Sequence, residues 1–244
     1  MIHENHRERM RDRIEQFGIE TLCDHEILEY LLYPFIPRKD TNPIGHELLE
    51  KCGSLEGVFN SDVDFLESFA NMTHNAAVFL ASLSGIYKHY ELSKFGKKPQ
   101  LATFAQIKAY AKALFVEYKD EHIIMLAVDN DGNLAEKCVL GNGSFDNCKV
   151  NIRKLVLSTQ NAKAPNIYLV HNHPSGNVTP SLDDNEFTKW AVMALDMLGI
   201  FLVDHIIVGQ NQLYSFAKDG KLDEFRKGCK SFMEQMEISD TFRR

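Results

Sequence analysis

The stretch from Asn166 to Leu198 constrains the fold most, because it sets a strand, a forced turn and a helix in direct succession. Asn166-Ile167-Tyr168-Leu169-Val170 is a short apolar run bounded by polar and turn residues, which predicts a strand. Residues two apart on an extended backbone share a face, so His171 and His173 present their imidazoles together. Pro174, Ser175 and Gly176 then change the direction of the chain. From Ser181 onward Phe187, Ala191, Leu195 and Leu198 recur at helical spacing, which places Asp184 in the first turn of a helix. The loop between is able to fold that carboxylate back toward the histidines. Two imidazoles and one carboxylate, with a fourth position left to water, form the ligand set of a catalytic zinc site.

Ser181-x-x-Asp184 is also a capping box, in which hydroxyl and carboxylate satisfy the orphan amides of a helix start. Taken alone, the pattern means capping. Capping does not account for two histidines on one face, eleven and thirteen residues ahead of the carboxylate. The two roles are compatible, since a first-turn aspartate serves a helix and an ion together.

The order His171-x-His173, seven residues, Ser181, two residues, Asp184 resembles the signature of the JAMM/MPN+ metalloproteases. The longer string His171-Asn172-His173-Pro174-Ser175-Gly176, followed by Pro180-Ser181, by Asp204-His205-Ile206-Ile207-Val208-Gly209 and by Tyr214-Ser215-Phe216, is similar to the bacterial RadC family. The likeness is close over residues 101–220 and looser before them. It implies a JAB/MPN-like α/β domain, a mixed sheet with flanking helices in cytidine-deaminase-like layering, behind a small all-helical N-terminal domain. It implies one Zn2+ per chain on His171, His173 and Asp184. It also implies a glutamate on an earlier strand as general base, which is Glu121 at the start of the domain's first strand, with Glu136 on the returning strand as competitor. The Ser181 hydroxyl is expected to donate toward the oxyanion of the reaction.

Composition bounds the alternatives. No run approaches the roughly 20 apolar residues of a membrane span, and the charged start lacks a signal-peptide core. Cys23, Cys52, Cys138, Cys148 and Cys229 are scattered and form no Cys-x-x-Cys pair, which suits reduced thiols in a cytoplasmic protein. The formal net charge is −7, with −5 in residues 1–100 and −2 in the remainder, so neither half has the basic excess that phosphate binding rests on. There is no Walker A loop, no Gly-x-Ser-x-Gly elbow and no Pro-Cys-x-x-Cys ligand pair. His25-Glu26-Ile27-Leu28-Glu29 and His46-Glu47-Leu48-Leu49-Glu50 begin like His-Glu-x-x-His but carry glutamate where the second histidine must stand.

Along the chain, residues 1–96 predict successive helices, with caps at Asp24, Asn42-Pro43, Ser61 and Thr73. Phe95-Gly96-Lys97-Lys98-Pro99 marks a boundary to a second domain, 101–220, and a helical or flexible tail follows over 221–244. The N-terminal helices of RadC-like proteins resemble a helix-hairpin-helix module, whose Gly-x-Gly turn offers backbone amides to DNA phosphates. Here the corresponding Phe69-Ala70-Asn71-Met72-Thr73 has no glycine, which argues against direct DNA contact. The expected function is therefore zinc-dependent hydrolysis of peptide or isopeptide bonds in an unnamed peptide or protein substrate. An accessory role in DNA repair or recombination, through nucleic acid or a protein partner, is the alternative, and a metal-stabilised scaffold without turnover is a third. No membrane association is expected, and the sequence is silent on oligomeric state.

Overall fold

The computed structural model describes residues 2–116, 118, 120–142, 148–210 and 212–229. The chain divides into two compact units, Met1–His89 and Tyr90–Arg244. The division falls within helix α6 (His74–Ser93), ahead of the Phe95–Pro99 interruption to which the sequence points. Among the described residues no helix is long and apolar enough to cross a membrane.

The first unit is helical: α1 (Ile2–Phe17), α2 (Asp24–Leu32), α3 (Asn42–Cys52), α4 (Leu55–Phe59), α5 (Val63–Glu67) and most of α6. Leu28, Leu32, Leu48, Val58, Leu66 and Leu80 lose all contact with solvent and form its core. Gly45 lets α3 approach α2, since a Cβ there would stand 2.7 Å from the His25 carbonyl. Three caps differ from expectation, the first being Thr41, which precedes α3 in place of Asn42. Cys23, not Asp24, precedes α2, with its amide donating to Glu26. Asp62 caps α5 by accepting from the Phe65 amide, while the Ser61 hydroxyl donates back to the Gly57 carbonyl. Ser and Asp are both good caps, and adjacent positions offered the chain a choice.

The turn before α6 also departs from the sequence reading. Asn71 adopts φ 67, the left-handed region that the absence of glycine was expected to close, and its Oδ1 accepts from Lys39 at 2.6 Å. Asparagine tolerates that region better than other residues with a Cβ. The two near-miss motifs join no ligand cluster among the described residues, and their Leu28 and Leu48 belong to the core. Glu26 pairs with Arg13, Glu47 with Lys51, and the His25 and His46 rings stack with centroids 4.1 Å apart. Glu29 is buried but fully served, by His6 and Tyr33 on one oxygen and Asn42 on the other.

The second unit runs α7 (Phe104–Leu114), β1 (His122–Val128), β2 (Leu134–Asn142), α8 (Cys148–Ala162), β3 (Asn166–Asn172), α9 (Leu182–Asp196), β4 (Phe201–Val208) and β5 (Leu213–Ser215). Residues 221–229 are helical, and the rest of the expected tail lies outside the described residues. The strands form one mixed sheet in the order β2-β1-β3-β4-β5, in which β3 and β4 are parallel and the other pairs antiparallel. The β4–β5 hairpin closes with the Gly209 amide on the Gln212 carbonyl; Asn211 is outside the described residues.

Both faces of the sheet are covered, which is why β1 is a continuous apolar run instead of an alternating one. Ile123, Met125, Ala127, Ile167 and Leu169 pack on one face with Leu155 of α8 and Phe187, Ala191 and Leu195 of α9. Ile124, Leu126, Val128 and Val170 pack on the other with Ile107, Tyr110 and Leu114 of α7. The odd-numbered positions of β3 thus point at the α9 layer. Phe187 anchors α9 there without solvent contact. Phe187→Ala is expected to lower stability by about 3–5 kcal/mol in chemical denaturation, and a loss below about 1 kcal/mol would show that α9 is held elsewhere.

Candidate metal centre

His171 and His173 continue the odd-numbered face of β3, so both rings enter the layer that α9 occupies. The His173 amide donates to the Val208 carbonyl at 2.9 Å, which extends the β3–β4 pairing past the formal end of the strand. The chain then turns over Gly176, at φ 80. Gly209 lies beneath that turn, where a Cβ would stand 2.5 Å from the Gly176 carbonyl. The two imidazoles meet edge to face, with centroids 4.7 Å apart and planes at 86°. His173 Nδ1 lies 2.6 Å from the Asn177 carbonyl, which only accepts. That contact places a proton on Nδ1 and frees the Nε2 lone pair of a neutral ring for ligation.

Asp184 enters from the first turn of α9 and is entirely buried. Its two oxygens divide the work between helix and ion site. Oδ2 accepts from the Ser181 amide at 2.8 Å and from the Ser181 hydroxyl at 2.7 Å, completing a capping box with the Asp184 amide on Ser181 Oγ. Oδ1 stands 3.1 Å from His171 Nδ1 and takes no well-formed hydrogen bond among the described residues. His173 Nε2 is 3.5 Å from Oδ2. The two imidazoles thus face different oxygens of Asp184, at 3.1 and 3.5 Å, beside the roughly 3.3–3.6 Å expected between donors about 2.0–2.2 Å from one tetrahedral ion. The Ser181 proton is committed to Asp184, and the oxyanion role expected for it requires that bond to be exchanged.

Glu121 immediately precedes β1 and completes a second, overlapping set. Its carboxylate, His171 and His173 offer donor atoms that all lie within 4.8 Å of one another. Glu136 is elsewhere: it pairs with Ala127, which pairs with Ile167, four residues along β3 from His171. At a rise of about 3.3 Å per residue that is roughly 13 Å away. The site therefore gathers His171, His173, Asp184, Ser181 and Glu121, and leaves Glu136 out.

A supporting layer was not singled out from sequence. Thr188, one turn after Asp184, donates its hydroxyl to the Asp184 carbonyl, and His205 Nδ1 lies 2.7 Å from the same hydroxyl. The Thr188 proton being used, His205 donates from Nδ1. Burial pushes the His205 pKa down to about 3, so the ring stays uncharged, stacked on Phe216 with centroids 4.9 Å apart. A neutral imidazole there adds no positive charge against a bound cation. The signals were present in Asp184-x-x-x-Thr188 and in the Asp204-His205 pair.

Burial raises the Asp184 pKa, but the interactions with His171, His173 and Ser181 outweigh it and hold the carboxyl well below 3.8. The Asp184 bond raises His173 above 6.5 against the opposing effect of burial. In metal-free protein the depressed carboxylate stabilises the fold above pH 3.8 and loses that contribution as pH falls through its folded value. The raised imidazole stabilises below pH 6.5 and loses its contribution as pH rises through its folded value. The stability difference between wild type and Asp184→Asn is expected to be greatest between pH 3.8 and 6.5, and to shrink on both sides. Denaturant titrations of chelator-stripped protein measure it; a difference flat with pH would contradict the coupling.

Comparison with known proteins agrees with the geometry. Residues 101–221 match the RadC-like JAB domain. A UPF0758 protein of Fusobacterium nucleatum is 34% identical over 229 residues, covering 89% of this chain and 97% of its own length. UPF0758 proteins of Streptococcus agalactiae serotypes III and Ia are each 26% identical over 212 residues, covering 87% of this chain and 94% of theirs. With a five-stranded mixed sheet flanked by helices and a relative matched over almost its whole length, the chain belongs to the RadC family, the UPF0758 proteins.

Proposed function

We propose that the chain is a metal-dependent hydrolase of peptide or isopeptide bonds, with one zinc ion per chain held by His171, His173 and Asp184. The observation that carries this reading is the buried Asp184 Oδ1, which takes no well-formed hydrogen bond among the described residues and stands 3.1 Å from His171 Nδ1, with Glu121 within reach of both histidines. Zinc suits a set of two imidazoles and a carboxylate. When bound, it supplies a water acidified toward neutrality and a Lewis acid for the scissile carbonyl. Asn177 holds the His173 ring, and Ser181 holds the Asp184 carboxylate. Glu121 takes the proton of the attacking water and delivers it to the leaving amine. The Ser181 hydroxyl, on exchanging its bond to Asp184, donates to the developing oxyanion. The substrate is a peptide or protein chain.

One observation favours the alternative, an accessory part in DNA repair: Asn71 attains the left-handed turn that a phosphate-holding hairpin uses. The net charge of −7 weighs against it. That reading predicts DNA binding whose log affinity falls linearly with log salt.

Purified protein is expected to contain about one zinc per chain, and His171→Ala and Asp184→Ala to contain almost none. Glu121→Gln is expected to keep the metal but to lower cleavage in a peptide-library screen by about 10²–10⁴-fold. Wild-type protein that binds no zinc, or Glu121→Gln protein that cleaves normally, would overturn the assignment.

A further inference from the structure

We infer that Asn172, the residue between the two histidines, is a positioning residue that holds Glu121 against the metal cluster. The inference rests on the metal-site reading above. Ladder pairing between β1 and β3 ends at Ile123 and His171. At the next step the Asn172 side chain takes over from the backbone. Its Oδ1 accepts from the His122 amide at 2.7 Å, and its Nδ2 donates to the Asp120 carbonyl at 3.0 Å. That carbonyl also faces His122 Nδ1 at 2.9 Å. The Asp120 carbonyl and the His122 amide belong to the two peptide groups on either side of Glu121. Both are therefore gripped by one side chain, and the Cα between them has little freedom to turn.

The chemistry of the position calls for a carboxamide. Only Asn and Gln carry a carbonyl oxygen and an NH2 side by side on one terminal group, and the orientation follows from the partners, since an amide needs the oxygen and a carbonyl the nitrogen. Aspartate would keep the acceptor and lose the donor, while alanine would lose both. Asn172 is 4% exposed, so water has poor access to replace either bond. The outcome is a direct mechanical link: the strand that presents both imidazoles also sets the backbone of the acid that works beside them. His171 and His173 point to one face of β3, and Asn172, between them, is free to reach the neighbouring strand.

The test uses Co2+, which reports its surroundings by visible absorption, bound to the full chain. Glu121→Gln, Asn172→Ala, Asn172→Asp and the double variant Glu121→Gln/Asn172→Ala are compared with wild type, alongside amide hydrogen exchange at residues 120–122. Asn172→Ala is expected to bind Co2+, to exchange its His122 amide faster, and to shift the visible band as Glu121→Gln does. The double variant is expected to match Glu121→Gln alone. Asn172→Asp is expected to shift the band part of the way, and stands in if Asn172→Ala fails to fold. A wild-type band in the Asn172 variants, or shifts that add in the double variant, would overturn the positioning role while leaving the metal site intact. Wild-type protein that takes up no Co2+ would overturn the metal-site reading and this inference with it.

Discussion

A carboxylate sealed away from water must be compensated by its neighbours, and Asp184 is the group on which the arrangement of the second unit turns. Glu29 in the helical unit shows the structural solution: both of its oxygens are met by donors from His6, Tyr33 and Asn42. Asp184 is solved by half. One oxygen closes the start of α9 on Ser181, and the other is left facing imidazole nitrogen. A buried group compensated on one side only is suited to receive a cation on the other, and its depressed pKa keeps it ionised for that purpose.

The rest of the unit can be understood as the scaffold for that geometry. Alternation along β3 turns His171 and His173 toward α9, and Phe187 fixes α9 on the same face. The Gly176 turn, seated over Gly209, brings the chain from one element to the other without a Cβ in the way. Thr188 and His205 then close the far side with a neutral ring, so the local charge is left to the carboxylates.

Much of this was legible in the sequence because it is local. A strand, a Pro-Ser-Gly turn and a capping box are written within a few residues of each other, and periodicity gives their faces. Helix starts were legible to within a residue or so, and the slips at Asp24 and Ser61 occurred where two adjacent residues could each serve. Register was not legible: nothing in the composition of β1 and β2 distinguishes Glu121 from Glu136, and the pairing of Ala127 with both Glu136 and Ile167 is what sets Glu136 apart from the site. Asn71 was misjudged for a different reason, since asparagine reaches a conformation that the reading reserved for glycine.

The spacing of these groups along the chain also orders their assembly. His171, His173 and Asp184 fall within fourteen residues, whereas Glu121 reaches them through the β1–β3 pairing and the bond from His122 to Asn172, fifty residues apart. Closing a short loop costs less entropy than establishing a distant strand pairing. If the trio holds the ion as proposed, a nascent polypeptide can bring those three groups together well before Glu121 joins them. On the proposed reading, metal loading and hydrolytic competence are separate events, and the second follows only once the sheet is complete.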